Sequence, residues 1–535
     1  MDEDRARTLA QWLDARAEGG QGDDRCMVDG GVSLTWAELA RRSRSLATGL
    51  AGLGVKRGDR VGLWLPNRSA WLATFLACAR LGAIAVSINT RFRSAEVGDL
   101  LYRSGAGVLV YWPGYKAIDF EGILAQCGAE ALQHLRTVVL YGEGDGVLPP
   151  APAGKQAVAF AQLLGRAEMK DDEGGADAPC VIFTTSGTTK APKLVLHKQE
   201  NVLAHARNVA RQYGLDAGKR FLLLPPFCGV YGFCSAMAAL VSDSLLVLEA
   251  AWSPPQAREL IAQHAITHFA ASNEAVAQLL DAPGSEDAFA SLELVVSANL
   301  NPAHADVPLR AAERGIVVSG LYGSSEMQAL FSLCDPAGEP EVRGRAGGTP
   351  ASAVARVRTR DPETKALCAP GVPGELEFLA PESGFVGYFN DPEATRAAFT
   401  DDGYFRSGDL GTMDGDGETF TYLARIGDTL RLGGFLVSPA EIEAVVQEHP
   451  AIESCQVVGA RTKEAVRPVA FVIARPGQPV PEKDIVAHVA ARLAKYKVPV
   501  RIIALDAFPT TASANGTKVQ KTKLRDMAEA ALERG

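Results

Sequence analysis

The feature that most constrains the fold is a long alternation of short apolar runs with helical patterns. Apolar runs at 61–65, 107–111 and 220–224 are typical of buried strands, and helical patterns such as 70–81 and 256–264 lie between such runs. Strands that alternate with helices over hundreds of residues form parallel sheets covered by helices. The pattern therefore predicts an α/β fold.

Length and texture together predict the domain organisation. A chain of 535 residues exceeds what one hydrophobic core usually holds. Short strand-like pieces at 375–379 and 419–423 predict a small β-rich subdomain at about 345–426. We expect a large domain over residues 1–426 and a mobile α+β domain over residues 427–535.

Charge and composition exclude several classes of protein. A formal net charge of −9 leaves no basic field for nucleic acid. The charged N-terminus lacks the apolar core of a signal peptide, and no run is apolar enough to span a bilayer. The nine cysteines lack CxxC or metal-ligand spacing, which is typical of reduced thiols. We therefore expect a cytoplasmic enzyme of small molecules.

A polar loop at 183–193, read as FTTSGTTKAPK, has the composition of a triphosphate-binding loop. Hydroxyls and backbone N–H groups can surround phosphate oxygens, and lysine offsets their charge. The spacing is not that of a Walker loop, and the following Leu-Val-Leu predicts a strand rather than a helix. A polar surface turn is the alternative. The predicted phosphate ligands are Thr185, Ser186, Gly187, Thr188, Thr189 and Lys193.

Four further motifs follow in order: YGSSE at 322–326, YFRSGD at 404–409, RIGD at 425–428 and GTKVQK at 516–521. With the polar loop, this series resembles the adenylate-forming superfamily of acyl-CoA synthetases, luciferases and peptide-synthetase adenylation domains. The resemblance covers nearly the whole chain. It implies ATP, Mg²⁺ and coenzyme A (CoA) as cofactors and a carboxylic acid as substrate.

The resemblance implies a role for each motif. Glu326 would bind Mg²⁺ near the α-phosphate, and Ser325, where threonine is usual, would contact an α-phosphate oxygen. A helix N-cap with a first-turn acid is the alternative for this motif. Asp409 would accept hydrogen bonds from both ribose hydroxyls, supported by Arg425. Their alternatives are a turn residue and a solvated surface charge.

Tyr322 would cover the adenine face, with 297–299 on the opposite wall. Lys518 would be the catalytic lysine that bridges the carboxylate and the α-phosphate, although Thr517 occupies the usual glycine position. Lys521 and Lys523 are weaker candidates, and a solvated basic tail is the alternative.

The hinge position two residues after Arg425 is usually aspartate or lysine in the family and is Gly427 here. Glycine absorbs large backbone changes at low steric cost, so we expect domain rotation to remain feasible. Gly433 and Gly434 would lie beside the pantetheine channel of CoA, with a hairpin turn as the alternative. Lys190 and Leu194 replace glycines common in the phosphate loop, and we expect an effect on ATP affinity.

The segment 222–237 corresponds to the family's acyl pocket and contains no charged residue. Amino-acid-activating relatives usually place an aspartate there, so an α-amino acid is disfavoured. Ordinary core packing is the alternative for these side chains. Cys228 replaces a common histidine. The predicted pocket residues are Phe227, Cys228, Val230, Tyr231 and Gly323.

Together the motifs predict an ATP-dependent carboxylate–CoA ligase acting on an apolar acyl or aryl acid. The enzyme would form an acyl-adenylate with release of pyrophosphate and then transfer the acyl group to CoA. Two alternatives are an adenylating enzyme that loads a carrier protein or another acceptor, and a non-catalytic nucleotide-binding relative. A homodimer is left open by the sequence.

Overall fold

The computed structural model describes residues 7–142, 154–185, 192–301, 304–428, 430–432, 435–461, 466–493, 495–513 and 516–534. The α-helices in these ranges are α1 (Leu9–Glu18), α2 (Trp36–Gly52), α3 (Ser69–Leu81), α4 (Ser94–Ser104), α5 (Phe120–Gln126), α6 (Gly128–Ala131), α7 (Phe160–Leu164), α8 (Gln199–Gln212), α9 (Val230–Val241), α10 (Pro254–His264), α11 (Asn273–Asp281), α12 (Val307–Ala312), α13 (Pro340–Arg343), α14 (Pro392–Ala397), α15 (Pro439–Gln447), α16 (Glu482–Ala490) and α17 (Lys521–Arg534).

The strands are β1 (Arg25–Asp29), β2 (Val32–Thr35), β3 (Arg60–Trp64), β4 (Ile84–Ser87), β5 (Val108–Tyr111), β6 (Thr137–Leu140), β7 (Gln156–Ala159), β8 (Pro179–Thr184), β9 (Leu194–Lys198), β10 (Arg220–Leu223), β11 (Leu245–Leu248), β12 (His268–Ser272), β13 (Leu294–Ala298), β14 (Val318–Tyr322), β15 (Ser332–Leu333), β16 (Gly347–Pro350), β17 (Arg356–Arg360), β18 (Gly374–Leu379), β19 (Gly387–Tyr388), β20 (Phe405–Met413), β21 (Phe420–Arg425), β22 (Leu430–Leu432), β23 (Phe435–Val437), β24 (Ile452–Arg461), β25 (Val466–Ala474), β26 (Arg501–Ala504), β27 (Thr510–Ser513) and β28 (Gly516–Val519). The five apolar and helical patterns identified in the sequence correspond to β3, β5, β10, α3 and α10, which confirms those predictions.

Two sheets form the large domain. The first runs β17-β18-β20-β21-β16-β15-β14-β13-β12-β10-β11-β1-β2, and its strands from β14 to β1 are parallel. The strands from β15 to β17 are antiparallel and continue the same sheet. The β-rich segment predicted at about 345–426 is therefore an extension of the parallel sheet rather than a detached one.

The second sheet runs β19-β9-β8-β4-β3-β5-β6-β7. Its strands from β8 to β7 are parallel, whereas β9 pairs antiparallel with both β8 and β19. Helices α3 and α9 are buried along their whole length and contribute to one core with residues of both sheets. A helix that is apolar on all sides must be buried, so these two helices form the centre of the large domain.

The C-terminal part has a hydrophobic core of its own. Its sheet, β24-β25-β26, packs with α15, α16 and α17, and two hairpins, β22–β23 and β27–β28, flank it. The two apolar clusters of this part draw all their members from residue 430 onward. The α/β class with a smaller α+β C-terminal part is thus confirmed. Within the described ranges, no helix has the length and hydrophobicity needed to cross a membrane.

Candidate functional site

The predicted nucleoside residues meet in one buried cluster. The hydroxyl of Tyr322, at the end of β14, donates to Asp409 Oδ2 at 2.6 Å. Arg425 Nη1 donates to Asp409 Oδ1 at 2.7 Å, from the position opposite Asp409 in the β20–β21 pair. Three residues from three separate motifs are therefore joined through a single carboxylate.

The burial of Asp409 and the pairing of Arg425 exclude the turn and surface-charge alternatives left open by the sequence, while the ribose role stays a prediction. Asp409 lies inside β20 with 5% of its surface exposed, so it is not a turn residue. Burial raises the pKa of Asp409, while the charge of Arg425 and the hydroxyl of Tyr322 act in the opposite direction. Arg425 is half-exposed but paired, so it is not a free surface charge.

Aromatic packing fixes the ring of Tyr322. The ring stacks on Phe378 with 5.3 Å between centroids and meets the edge of Phe420 at 5.4 Å. Only 6% of Tyr322 is exposed. Since the ring cannot turn without disturbing this cluster, its hydroxyl is held on Asp409. Coverage of adenine by Tyr322 stays a prediction. On the predicted opposite wall, Asn299 Nδ2 donates to the carbonyl of Gly344.

Glu326 lies in a short turn rather than a helix. The turn is a 3₁₀ segment of three residues, Ser325–Met327, and the side chain of Ser324 makes no capping bond. The helix N-cap alternative is therefore not the arrangement found. Glu326 is half-buried, and its Oε1 accepts a hydrogen bond from the hydroxyl of Tyr388 at 2.9 Å.

Two buried histidines bind the backbone carbonyls of this turn. Nε2 of His197 lies 2.8 Å from the carbonyl of Ser325, and Nε2 of His205 lies 2.9 Å from the carbonyl of Gln328. A carbonyl oxygen only accepts, so each Nε2 carries a proton and donates. Burial lowers the pKa of His197 to about 4 and that of His205 to about 3. Both are neutral donors near pH 7.

The turn doubles back sharply after Glu326. Gln328 and Ala329 both have left-handed backbones, with φ of 59° and 58°. A non-glycine residue in that region costs roughly 1–3 kcal/mol, so neighbouring contacts must offset the strain. A Cβ on Gly323 would lie 1.1 Å from the carbonyl oxygen of Ala329. Gly323, predicted as a pocket residue, is thus also required for the close approach of the backbone.

The phosphate loop is placed only at its ends. Ser186, Gly187, Thr188 and Thr189 lie outside the described residues, as does Lys190. At the ends, the N–H of Thr185 donates to the carbonyl of Lys193 at 3.0 Å, and the N–H of Lys193 donates to Oγ1 of Thr185 at 3.0 Å. The next residue, Leu194, begins β9, which confirms the predicted strand.

The hinge and lysine motifs are described in part. Gly427 lies in a 3₁₀ turn, Ile426–Asp428, where an added Cβ would meet no atom within 4 Å. Gly433 and Gly434 lie outside the described residues. Lys518 is a backbone position of β28, paired with Thr511 of β27.

Of the two weaker lysine candidates, one has a structural partner. Lys521 Nζ lies 3.4 Å from the buried carboxylate of Glu443, whereas Lys523 is exposed. The ion pair gives Lys521 a role within the C-terminal part that requires no substrate.

The acyl segment mixes core side chains with residues that keep slight exposure. Phe227 is fully buried and stacks on Trp71 at 5.0 Å, which is the core packing left open as an alternative. The hydroxyl of Tyr231 shares its one proton between the carbonyls of two neighbouring strands, Ala271 of β12 at 3.0 Å and Val296 of β13 at 2.9 Å. Cys228 and Val230 are 6% and 8% exposed. Burial raises the pKa of the Cys228 thiol to about 12, so it stays protonated.

The oxygen donor of Glu326 fits Mg²⁺. This ion is commonly bound through one or two carboxylates together with substrate phosphates and water. Among the described residues, no group of three or more His, Cys, Asp or Glu side chains could hold a metal ion. Glu326 offers a half-buried carboxylate with one oxygen engaged by Tyr388. Its other oxygen could serve as the one protein ligand of such a shared site.

Sequence reasoning missed Tyr388, His197 and His205. Tyr388 belongs to a strand of two residues, which is too short to show a periodic pattern. His197 lies in an apolar strand, and His205 in an amphipathic helix, where a lone histidine carries no distinctive spacing. Their contacts with the Glu326 turn join positions more than a hundred residues apart, or 62 for Tyr388.

Comparison with known proteins gives consistent matches along the chain. The family model described as AMP-binding enzyme matches residues 13–389, and the model described as AMP-binding enzyme C-terminal domain matches residues 441–515. A feruloyl-CoA synthase of Amycolatopsis sp is 30% identical over 506 residues, which cover 93% of this chain and 94% of that protein.

Solved structures resemble the whole chain. The o-succinylbenzoate coenzyme A synthetase of Bacillus subtilis, solved in complex with AMP, has a TM-score of 0.77 at 26% identity and is covered over 98% of its length by 96% of this chain. An anthranilate CoA ligase solved with anthranoyl-AMP has a TM-score of 0.84 at 23% identity, with 100% of both chains covered. At that identity the second likeness is one of fold.

Proposed function

The chain belongs to the AMP-binding enzyme family and is an ATP-dependent, AMP-forming carboxylate–CoA ligase, and from that premise we propose which residues carry the reaction and which acid it takes. The observation that carries the proposal is the buried cluster of Tyr322, Asp409 and Arg425. It offers a fixed anion to a ribose next to the half-buried carboxylate of Glu326.

Asp409 binds the ribose in this proposal. Each carboxylate oxygen accepts one internal bond and keeps a further lone pair. The two ribose hydroxyls donate to those lone pairs, while Arg425 keeps the carboxylate ionised and Tyr322 covers the adenine. Because the cluster is rigid before ATP arrives, little side-chain ordering is required on binding.

The triphosphate lies between the loop at 185–193 and the Glu326 turn. Thr185, Ser186, Gly187, Thr188 and Thr189 donate to the β- and γ-phosphates, and Lys193 offsets their charge. Ser325 donates to an α-phosphate oxygen. Glu326 would hold Mg²⁺, which would supply charge stabilisation to the phosphoryl oxygens.

Lys518 supplies the remaining cation for the first half-reaction. The carboxylate oxygen of the acid attacks the α-phosphorus, and the bond to the pyrophosphate oxygen breaks. Negative charge gathers on the phosphoryl oxygens, so an ammonium that bridges them and the carboxylate stabilises the transition state.

The second half-reaction transfers the acyl group. The CoA sulfur attacks the acyl carbonyl, its proton leaves to solvent, and the bond to AMP breaks. Rotation about Gly427 exchanges Lys518 for the segment of sequence that contains Gly433 and Gly434, which would meet the pantetheine arm. This alternation is part of the proposal.

The acid is apolar or aromatic. The segment 222–237 contains no charged side chain to pair with an ammonium, and Val230 and Tyr231, which keep slight exposure, contribute apolar surface, with the core residue Phe227 packed behind them. An unpaired buried charge costs several kcal/mol, so an α-amino acid is rejected. The relatives' names, a feruloyl-CoA synthase and an o-succinylbenzoate coenzyme A synthetase, support an aryl acid.

The test measures pyrophosphate release from ATP with a panel of acids, with and without CoA, and identifies the thioester by mass. A matched pair is 3-phenylpropanoate and its α-amino analogue phenylalanine. We expect turnover with CoA for aliphatic or aryl acids and at least about 100-fold less for phenylalanine, as roughly 3 kcal/mol of uncompensated charge requires. Multiple turnovers that yield no CoA thioester would indicate a carrier protein or another acceptor. ATP binding without pyrophosphate release for any acid would indicate the non-catalytic alternative.

We also propose a cytoplasmic location. The nine free cysteines, which have neither disulfide nor metal-ligand spacing, support it because reduced thiols are typical of the cytosol. A homodimer is a separate hypothesis, and light scattering of the purified protein tests it.

A further inference from the structure

We propose that Tyr388 is a positioning residue that holds the Glu326 carboxylate and the Lys193 ammonium in place for Mg²⁺ and ATP. The inference rests on the proposed function, since it concerns the same site. Its basis is a double contact. The Tyr388 hydroxyl donates to Glu326 Oε1 at 2.9 Å, and Lys193 Nζ lies 4.2 Å from the centroid of the Tyr388 ring.

Tyr388 is itself held firmly. Only 7% of it is exposed, and its ring packs on Phe385 with 5.0 Å between centroids. Its backbone N–H donates to Oγ1 of Thr395 at 2.9 Å, which ties β19 to helix α14. Gly387 has a φ of 152°, and a Cβ there would lie 2.8 Å from Cγ2 of Thr395. Position 387, the first residue of β19, therefore admits glycine best.

Strand pairing sets the distance between Tyr388 and the phosphate loop. Tyr388 pairs with Val195 of β9, and the next residue, Phe389, donates its N–H to the carbonyl of Leu194 at 2.7 Å. β9 begins directly after Lys193. Lys193, directly before β9, and Tyr388, in β19, therefore lie on neighbouring segments of one sheet edge, and the Lys193 ammonium lies over the Tyr388 ring.

The two contacts of Tyr388 keep the Glu326 carboxylate and the Lys193 ammonium apart, and each stays oriented towards the substrate. A free ammonium and carboxylate this close to one ring would attract each other and form a direct ion pair. The Tyr388 hydroxyl occupies one oxygen of Glu326 and leaves the other for Mg²⁺. The π face of the Tyr388 ring attracts the Lys193 ammonium without neutralising its charge. Both groups then meet the metal-bound triphosphate without first breaking an ion pair.

Two variants separate the two contacts. Tyr388→Phe keeps the ring under Lys193 and loses the hydroxyl on Glu326. Tyr388→Leu loses both. The matched control is Tyr111→Phe, because the hydroxyl of Tyr111 also donates to a glutamate, Glu121 Oε1, at 3.1 Å. Tyr111 lies in β5, separated from β19 by β9, β8, β4 and β3.

The experiment measures binding rather than turnover. Mn²⁺, a paramagnetic probe for the Mg²⁺ site, is titrated into enzyme and ATP and followed by electron paramagnetic resonance. ATP binding without metal is measured by calorimetry in EDTA. For Tyr388→Phe we expect about tenfold weaker Mn²⁺ binding with ATP and metal-free ATP affinity within about twofold of wild type. Tyr388→Leu should weaken both, and Tyr111→Phe neither.

Wild-type Mn²⁺ binding by Tyr388→Phe would overturn the inference. Equal weakening of metal-dependent and metal-free ATP binding by that variant would also overturn it, since a general loss of structure has that signature. Thermal melting of each variant shows whether the leucine variant is folded. The wild-type titration separates this inference from the proposed function: enzyme that binds Mn²⁺ with ATP yet releases no pyrophosphate with any acid contradicts the function and not the role of Tyr388.

Discussion

The turn that carries Glu326 is held by buried side chains, whereas the joint at Ile426–Asp428, which leads to the C-terminal part, is held by different and less buried contacts. The turn receives hydrogen bonds from His197, His205 and Tyr388, all of them buried. At the joint around Gly427, the described bonds include Ser438 Oγ to the carbonyl of Leu423, at 3.0 Å, and the half-buried side chain of Arg525 to the carbonyl of Gly427, at 3.3 Å.

The difference follows from what each region must do in the proposed reaction. Groups that stabilise developing charge are effective when they are aimed before the reaction starts, so a clamped turn suits Glu326. Domain rotation requires a joint whose contacts are few and easily exchanged. The proposed reaction therefore asks for a rigid site around Glu326 and for a C-terminal part that can move.

The largest effect is expected when the Lys518 cation, which the C-terminal part is proposed to deliver, is removed. Lys518→Ala should slow adenylation by about 100-fold or more, because roughly 3 kcal/mol of transition-state stabilisation is lost. Pyrophosphate release in a single turnover measures it. Lys523→Ala is the control, since Lys523 is an exposed lysine on the adjoining helix. Adenylation at the wild-type rate by Lys518→Ala would assign the cation to another residue.

A smaller effect is expected from weakening the rigid site. Asp409→Asn removes the charge that pairs with Arg425 and leaves one acceptor where two stood. We expect ATP to bind about 30-fold more weakly, which is roughly 2 kcal/mol, measured by calorimetry. Asp402→Asn is matched, because Asp402 also pairs with an arginine, Arg358, but on the exposed side of the β-rich extension. Equal losses in both variants would contradict a ribose-binding role for Asp409.

The joint itself can be stiffened at Gly427. Gly427→Pro should change the ratio of adenylation to thioester-forming rates by about tenfold, because proline fixes φ at the point of rotation. In Gly427→Ala the added Cβ has no atom within 4 Å, so this variant should keep that ratio within about threefold. It should also stabilise the fold by roughly 0.4–1 kcal/mol, because alanine restricts the unfolded chain. Single-turnover assays of each half-reaction measure the ratio. An unchanged ratio in the proline variant would place the rotation elsewhere in the chain.

The sequence predicts what depends on local chemistry. The motifs that contain Asp409, Arg425 and Glu326 are recognisable because each combines special residue types at fixed spacing, and the α/β class follows from periodicity. The contact of Tyr322 with Asp409 spans 87 residues and depends on how β14 and β20 are placed in one sheet. No local pattern encodes that placement.

The same limit explains the missed residues. Tyr388 acts through the pairing of a two-residue strand with β9, and His197 through a carbonyl on a distant turn. The extension of the parallel sheet by the β-rich strands was also beyond reach, because sequence texture reveals strands but not their neighbours. Tertiary packing determines these features, and a local sequence pattern does not reveal which distant residues that packing brings together.

The smallest expected effect concerns the clamp on the rigid turn and its dependence on pH. An unfolded histidine binds a proton below about pH 6.5, whereas burial lowers the pKa of His197 to about 4. Between these values the unfolded chain binds more protons, so the free energy of unfolding falls as the pH falls. Near pH 5.5 the loss due to His197 is about 1 kcal/mol.

His197→Gln keeps an N–H donor for the carbonyl of Ser325 and removes the titration. Between pH 7.5 and 5.5 this variant should lose about 1 kcal/mol less stability than wild type, in denaturant unfolding at each pH. His134→Gln, at an exposed histidine, is the control and should follow wild type. An identical pH slope in His197→Gln would contradict the prediction, because it would mean that His197 binds protons equally in the folded and unfolded chain and that another group causes the loss of stability in acid.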